Sequence, residues 1–99
     1  MELKIKKIDL PMGKLIEVSQ SPKVIVFNNG EKYFAVSGIC PHAKWPLEMG
    51  TVKEKTLTCA GHGWEFDITD GKCISNPKRD LKTYKVIEEG DNVIITESN

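Results

Sequence analysis

Apolar and polar positions alternate along this chain with a period of two more often than with any helical period. Leu3 and Ile5 are separated by Lys4 and Lys6, which predicts a half-buried strand ending near Pro11-Met12-Gly13. Leu15-Ile16-Glu17-Val18 predicts a second short strand, stopped at Ser19-Gln20-Ser21-Pro22. Val24 to Phe27 and Tyr33 to Val36 are β-branched or aromatic runs on either side of Asn28-Asn29-Gly30, residues that tolerate positive φ, and so predict a hairpin. Thr51-Val52 and Thr56-Leu57-Thr58 flank a charged turn at Lys53-Glu54-Lys55 and predict another. Trp64-Glu65-Phe66-Asp67-Ile68 alternates apolar with acidic, which puts Trp64 and Phe66 in the core. Thr69-Asp70-Gly71-Lys72 then turns the chain into a short strand holding Cys73 and Ile74, and Ser75-Asn76-Pro77 turns it again. Tyr84 and Val86, then Val93-Ile94-Ile95 across the Glu88–Asn92 turn, predict a closing hairpin.

No window of about 11 residues keeps a 3.6-residue apolar stripe, and no internal repeat or low-complexity run interrupts the strands. Short strands with turns at this spacing predict an all-β fold, an antiparallel sandwich or barrel. A chain of 99 residues is expected to form one domain, 1–99, burying roughly 65% of its unfolded surface.

Composition narrows the function classes. Lys+Arg and Asp+Glu both number 14, so no net field argues for nucleic acid or an anionic membrane. The longest apolar runs are four residues, far short of the roughly 20 needed for a span, and no apolar stretch follows the charged Met1–Lys7 segment. A cytoplasmic protein is therefore expected. Three cysteines cannot all pair in disulfides within one chain, which favours metal ligation for some of them.

The chemistry is concentrated between Cys40 and His62. Cys40-Pro41-His42 and Cys59-Ala60-Gly61-His62 contain both histidines and two of the three cysteines, one of each per segment. Two loops of this kind can present two thiolates and two imidazoles to a two-iron, two-sulfide cluster. Thiolates favour ferric iron, whereas neutral imidazoles donate less and make ferrous iron easier to reach. A structural zinc ion is the rival, since two Cys and two His also suit a tetrahedral site. Zinc spacings, however, usually pair Cys with Cys and His with His. Cys73 reads as a small buried apolar residue or, alternatively, a redox-sensitive thiol. Gly61 and Gly63, flanking His62, would let backbone N–H groups approach the cluster sulfurs.

With the continuation Gly63-Trp64-Glu65-Phe66-Asp67, the Thr69-Asp70-Gly71-Lys72 turn and the late Asn76-Pro77, nearly the whole chain resembles the Rieske-type [2Fe-2S] ferredoxins. The resemblance implies antiparallel sheets carrying a small cluster-binding subdomain, about 38–78, with Pro77 on a third loop over the cluster. It implies that Cys40 and Cys59 ligate one iron and that His42 and His62 ligate the other through Nδ1, their outer nitrogens facing solvent. The family's high-potential members carry an extra Cys in each loop, joined as a disulfide, and a Ser two residues after the last ligand. Here those positions are Trp45, Gly61 and Trp64, so the resemblance implies a low-potential, soluble member.

Such members carry single electrons from a flavin reductase to an oxygenase. The chain has no G-x-G-x-x-G fingerprint, so a monomeric carrier and not a catalyst is expected. The alternatives are a Rieske subunit or redox sensor of a larger enzyme and, further off, a zinc-stabilised binding module. Trp45 is expected to shield the cluster or, alternatively, to form with Pro46 and Leu47 an apolar docking ring around the electron exit.

Overall fold

The computed structural model describes residues 1–42, 44–76 and 78–97. Among these described residues the regular elements are nine strands and two single 3-10 turns, Lys7–Asp9 and Leu47–Met49. Six strands form one antiparallel sheet: β1 (Glu2–Lys6), β2 (Leu15–Gln20), β3 (Lys23–Asn28), β4 (Tyr33–Ser37), β8 (Thr83–Glu89) and β9 (Asn92–Glu97), in the order β1-β9-β8-β4-β3-β2. The other three, β5 (Thr51–Lys53), β6 (Thr56–Thr58) and β7 (Glu65–Asp67), make a small sheet in sequence order. The predicted hairpins are all present. Gly30 takes φ +94° in the β3–β4 turn, where the Asn29 side chain accepts from the Glu31 and Lys32 amides at 2.8 and 2.7 Å.

β3 explains how the two sheets are joined. Val24 and Val26 pack with Leu10, Ala35, Tyr84, Val93 and Ile95 in the core of the base sheet. Ile25 and Phe27, on the opposite face, pack with Val36, Leu57, Phe66 and Leu81 in a second core that also contains Cys40 and Cys59. Because successive side chains on a strand point to opposite faces, a strand covered on both sides must be apolar throughout. That is why Val24-Ile25-Val26-Phe27 breaks the alternation seen elsewhere. Each of these side chains contributes on the order of 1.5–3 kcal/mol by leaving water.

The small sheet is an excursion from the large one. β4 and β8 are hydrogen-bonded neighbours, with Ala35 opposite Tyr84 and Val36 opposite Thr83, yet residues 38–82 lie between them in sequence. The Ser37 amide donates to the Lys82 carbonyl at 2.8 Å where the excursion leaves and returns. Lys23 ties it down from the side: its ammonium bonds Glu17 on β2 and, at 2.9 Å, Glu48 in the 3-10 turn of the excursion. Only 17% of the Lys23 side chain is exposed.

One predicted strand is reduced to a single bridge, Phe66 opposite Cys73. The bridge is made by the Asp67 amide donating to the Lys72 carbonyl and the Ile74 amide to the Glu65 carbonyl, each at 2.8 Å, while the Cys73 amide, on the side away from β7, donates to the Asp80 carboxylate at 2.8 Å. No helix is long and apolar enough to cross a membrane among the described residues.

The hydrogen bond to Glu17, more than that to Glu48, raises the pKa of Lys23 above 10.5. The stabilisation this represents is fully present below pH 10.5 and is lost as pH rises through the folded-state value. Lys23→Met should destabilise the protein by about 1–2 kcal/mol at neutral pH, because two carboxylates lose their shared partner. The melting-temperature gap between variant and native protein should narrow above pH 10.5. A gap that stays constant to higher pH would rule out the ammonium as its source.

Candidate metal centre

Cys40 and Cys59 stand at the start of two loops that close in the same way. In the first, the Cys40 amide donates to the Trp45 carbonyl at 2.9 Å and the Lys44 amide donates to the Cys40 carbonyl at 2.8 Å. In the second, the Cys59 amide donates to the Trp64 carbonyl at 2.8 Å and the Gly63 amide to the Cys59 carbonyl at 3.0 Å. The fourth residue after each cysteine takes a left-handed conformation, Lys44 at φ +56° and Gly63 at φ +73°. One six-residue loop, Cys-x-x-x-x-Trp, therefore occurs twice, and it uses both tryptophans of the chain. The recurrence was legible in the sequence as equal Cys-to-Trp spacing, although a search for longer internal repeats passes over it.

The four predicted ligands are arranged by depth. Cys40 and Cys59 are 0% and 1% exposed and belong to the core beneath the loops. His42 and His62 are exposed at the surface above them, ring centroids 5.0 Å apart and edge to face at 89°. Among the described residues no three His, Cys, Asp or Glu side chains gather where they could hold one metal ion. Two soft thiolates with two imidazoles are a donor set that suits a two-iron cluster taking two protein donors per iron.

The tryptophans depart from expectation. Trp64 is only half-buried: one side packs against the core, and the indole stacks on the His42 imidazole, centroids 4.1 Å apart and planes 15° from parallel. Trp45 lies on Gly61, so closely that a Cβ there would sit 2.4 Å from the indole Cδ1. Gly61 thus leaves room for an indole, and a need for backbone N–H groups to reach sulfur is not required to explain it. Phe66 is fully buried, as its alternation predicts. The docking ring needs correction: Leu47 is 0% exposed and part of the core, because the 3-10 turn points it inward, while Trp45 is 39% exposed.

The third loop is anchored to Cys73, which is buried. Its sulfur accepts from the Asn76 amide at 3.2 Å, and its own amide is held by Asp80. Asp80 was not singled out by its sequence context, since a lone acidic residue in a charged segment carries no signal of its own. Pro77, expected to cover the cluster, lies outside the described residues.

The matched loops predict matched responses. Gly63→Ala should cost about 1–2 kcal/mol, the penalty for a Cβ in the left-handed region. Lys44→Gly removes that penalty from the first loop and should leave the melting temperature equal to or above that of the native protein. Gly63→Ala with an unchanged melting temperature would contradict the equivalence of the two loops.

The fold agrees with comparisons to known proteins. Residues 3–85 match the family model described as Rieske [2Fe-2S] domain. The 3-phenylpropionate/cinnamic acid dioxygenase ferredoxin subunit of Shigella flexneri serotype 5b is 30% identical over 89 residues, covering 88% of this chain and 84% of that one. Among solved structures, the Sphingomonas yanoikuyae B1 ferredoxin superposes with a TM-score of 0.85 at 27% identity over 98% of this chain and 97% of that one. The ferredoxin of carbazole 1,9a-dioxygenase from Nocardioides aromaticivorans IC177 superposes with a TM-score of 0.87 at 23% identity, covering 97% of this chain and 96% of that one. By sequence and by fold, this chain belongs to the Rieske [2Fe-2S] domain family.

Proposed function

We propose that this protein is a cytoplasmic one-electron carrier, working as a monomer, that takes electrons from a reductase and delivers them to an oxygenase. Cys40, His42, Cys59 and His62 hold its [2Fe-2S] cluster, the cysteines on one iron and the histidines on the other. The chain acts as one domain, with the excursion from the base sheet as its cluster-carrying part. The observation that carries this reading is the separation by depth: buried thiols below, exposed imidazoles above. The dioxygenase ferredoxin subunits among its relatives support the choice of acceptor.

When bound, the cluster supplies a reversible one-electron couple. The residues do the rest. Cys40 and Cys59, anionic as ligands, are kept from solvent by Leu57 and Phe66, while His42 and His62 carry the route outward to a partner. Trp64 stands two residues beyond His62 with an indole N–H and no hydroxyl, and Trp45 and Gly61 cannot form a disulfide. Both features support a midpoint in the lower part of the roughly −150 to +300 mV Rieske range.

The purified protein should contain two irons and two acid-labile sulfides per chain, and on reduction give the low average g value of a histidine-ligated cluster. It should restore turnover to a reductase and oxygenase pair that is inactive without it. Cys59→Ala should remove the colour and the transfer together. Zinc in place of iron, or a midpoint near the top of the range, would overturn the reading.

A further inference from the structure

We propose that Trp45 and Trp64 form a reciprocal clasp that holds the two ligand loops at their working separation. The proposal rests on the ligand assignment above. The backbone hydrogen bonds of each loop close on the loop itself: Cys40 with Lys44 and Trp45, and Cys59 with Gly63 and Trp64. These bonds fix the shape of each loop but not its distance from the other. The indoles cross that gap in opposite directions. Trp45, five residues after Cys40, lands on Gly61, two residues after Cys59. Trp64, five residues after Cys59, lands on His42, two residues after Cys40. The same outgoing position meets the same receiving position in both directions, so the two contacts are related as the two loops are.

The contacts differ in what they hold. At Gly61 the indole lies against bare backbone, and only glycine fits: an added Cβ would come within 2.4–2.6 Å of Cδ1, Nε1 and Cγ of Trp45. At His42 the indole faces a ligand ring, so Trp64 also fixes the plane of that imidazole at 15° to its own. Trp45 and Gly61 are the positions at which the family's high-potential members have their disulfide. The Trp45 contact bridges the same two loops at the same point with dispersion and apolar burial instead of a covalent bond. A cluster shared by both loops is lost when they part, so the clasp sets how long it is retained. Trp45 and Trp64 are positioning residues.

The test uses the cluster-loaded protein and follows the half-life of its visible absorption in excess chelator at fixed temperature. Trp45→Ala should shorten that half-life about three- to tenfold, the scale of one lost aromatic contact. Gly61→Ala alone should shorten it comparably by displacing the indole, and the two together should be no worse than Trp45→Ala, because both break one contact. The double variant Trp45→Cys with Gly61→Cys, once oxidised, should recover a half-life within about twofold of the native value, and lose it again when the disulfide is reduced. Shielding by the indole alone predicts no recovery from so small a bridge.

For the other half of the clasp, Trp64→Ala should shift or broaden the g values of the reduced cluster, and Trp64→Phe should restore them. Four results would each overturn the proposal: a native half-life in Gly61→Ala; additive losses in the Trp45/Gly61 pair; an oxidised double-cysteine variant that bleaches as fast as Trp45→Ala; and a native spectrum in Trp64→Ala. Iron and sulfide analysis of the unaltered protein tests the cluster reading separately, so failure of one is distinguishable from failure of the other.

Discussion

The structure depends most on the way Cys40 and Cys59 are bonded through their backbones. Each uses its own N–H and C=O to close the loop it begins, so loop shape sets the direction in which each Cα–Cβ bond points. A buried amide or carbonyl without a partner would be costly, and here both are satisfied within six residues. What remains for the rest of the molecule is to bring two finished loops together and hold them there. The core shared by Ile25, Phe27, Leu57 and Phe66 does this from below. Lys23, bonded to carboxylates on both sides of the junction, does it from the flank.

Much of this was legible in the sequence. The hairpins follow from alternation and turn chemistry, and the candidate ligands stand out as two mixed Cys/His pairs in a chain with only two histidines. Leu47 was misjudged because adjacency to Trp45 and Pro46 says nothing about direction, and one 3-10 turn is enough to point it inward. The strand expected at Cys73 is a single bridge, and the Cys73 amide is held by Asp80, seven residues away, a contact that no local pattern announces. Alternation puts Trp64 in the core because it assigns a face but cannot show that an imidazole from the other loop shares that face. The sequence patterns were reliable for what a residue's neighbours along the strand determine, and weak for what approaches from another loop.

The two glycines beside His62 show how one residue type can be required for unrelated reasons. Gly63 closes its loop with a positive φ, and beyond its own chain neighbours no heavy atom lies within 4 Å of where its Cβ would be. Gly61 needs no unusual backbone but is pressed by an aromatic ring. Replacing the first strains the chain itself, and replacing the second strains a contact between two parts of the chain. In the first loop the left-handed position is held by Lys44, which shows that the loop shape tolerates a side chain there at some cost.

The excursion between β4 and β8 departs and returns at adjacent points of one ladder, with Ser37 and Lys82 joined by a hydrogen bond. Seen from the base sheet, everything from 38 to 82 is a single long connection whose ends are already in register. Insertions or deletions within it leave that pairing intact, so the redox unit is free to vary in length and surface while the platform stays constant. Such a junction makes the unit portable. The same platform can present a differently shaped tip to a different acceptor without being refolded to do so.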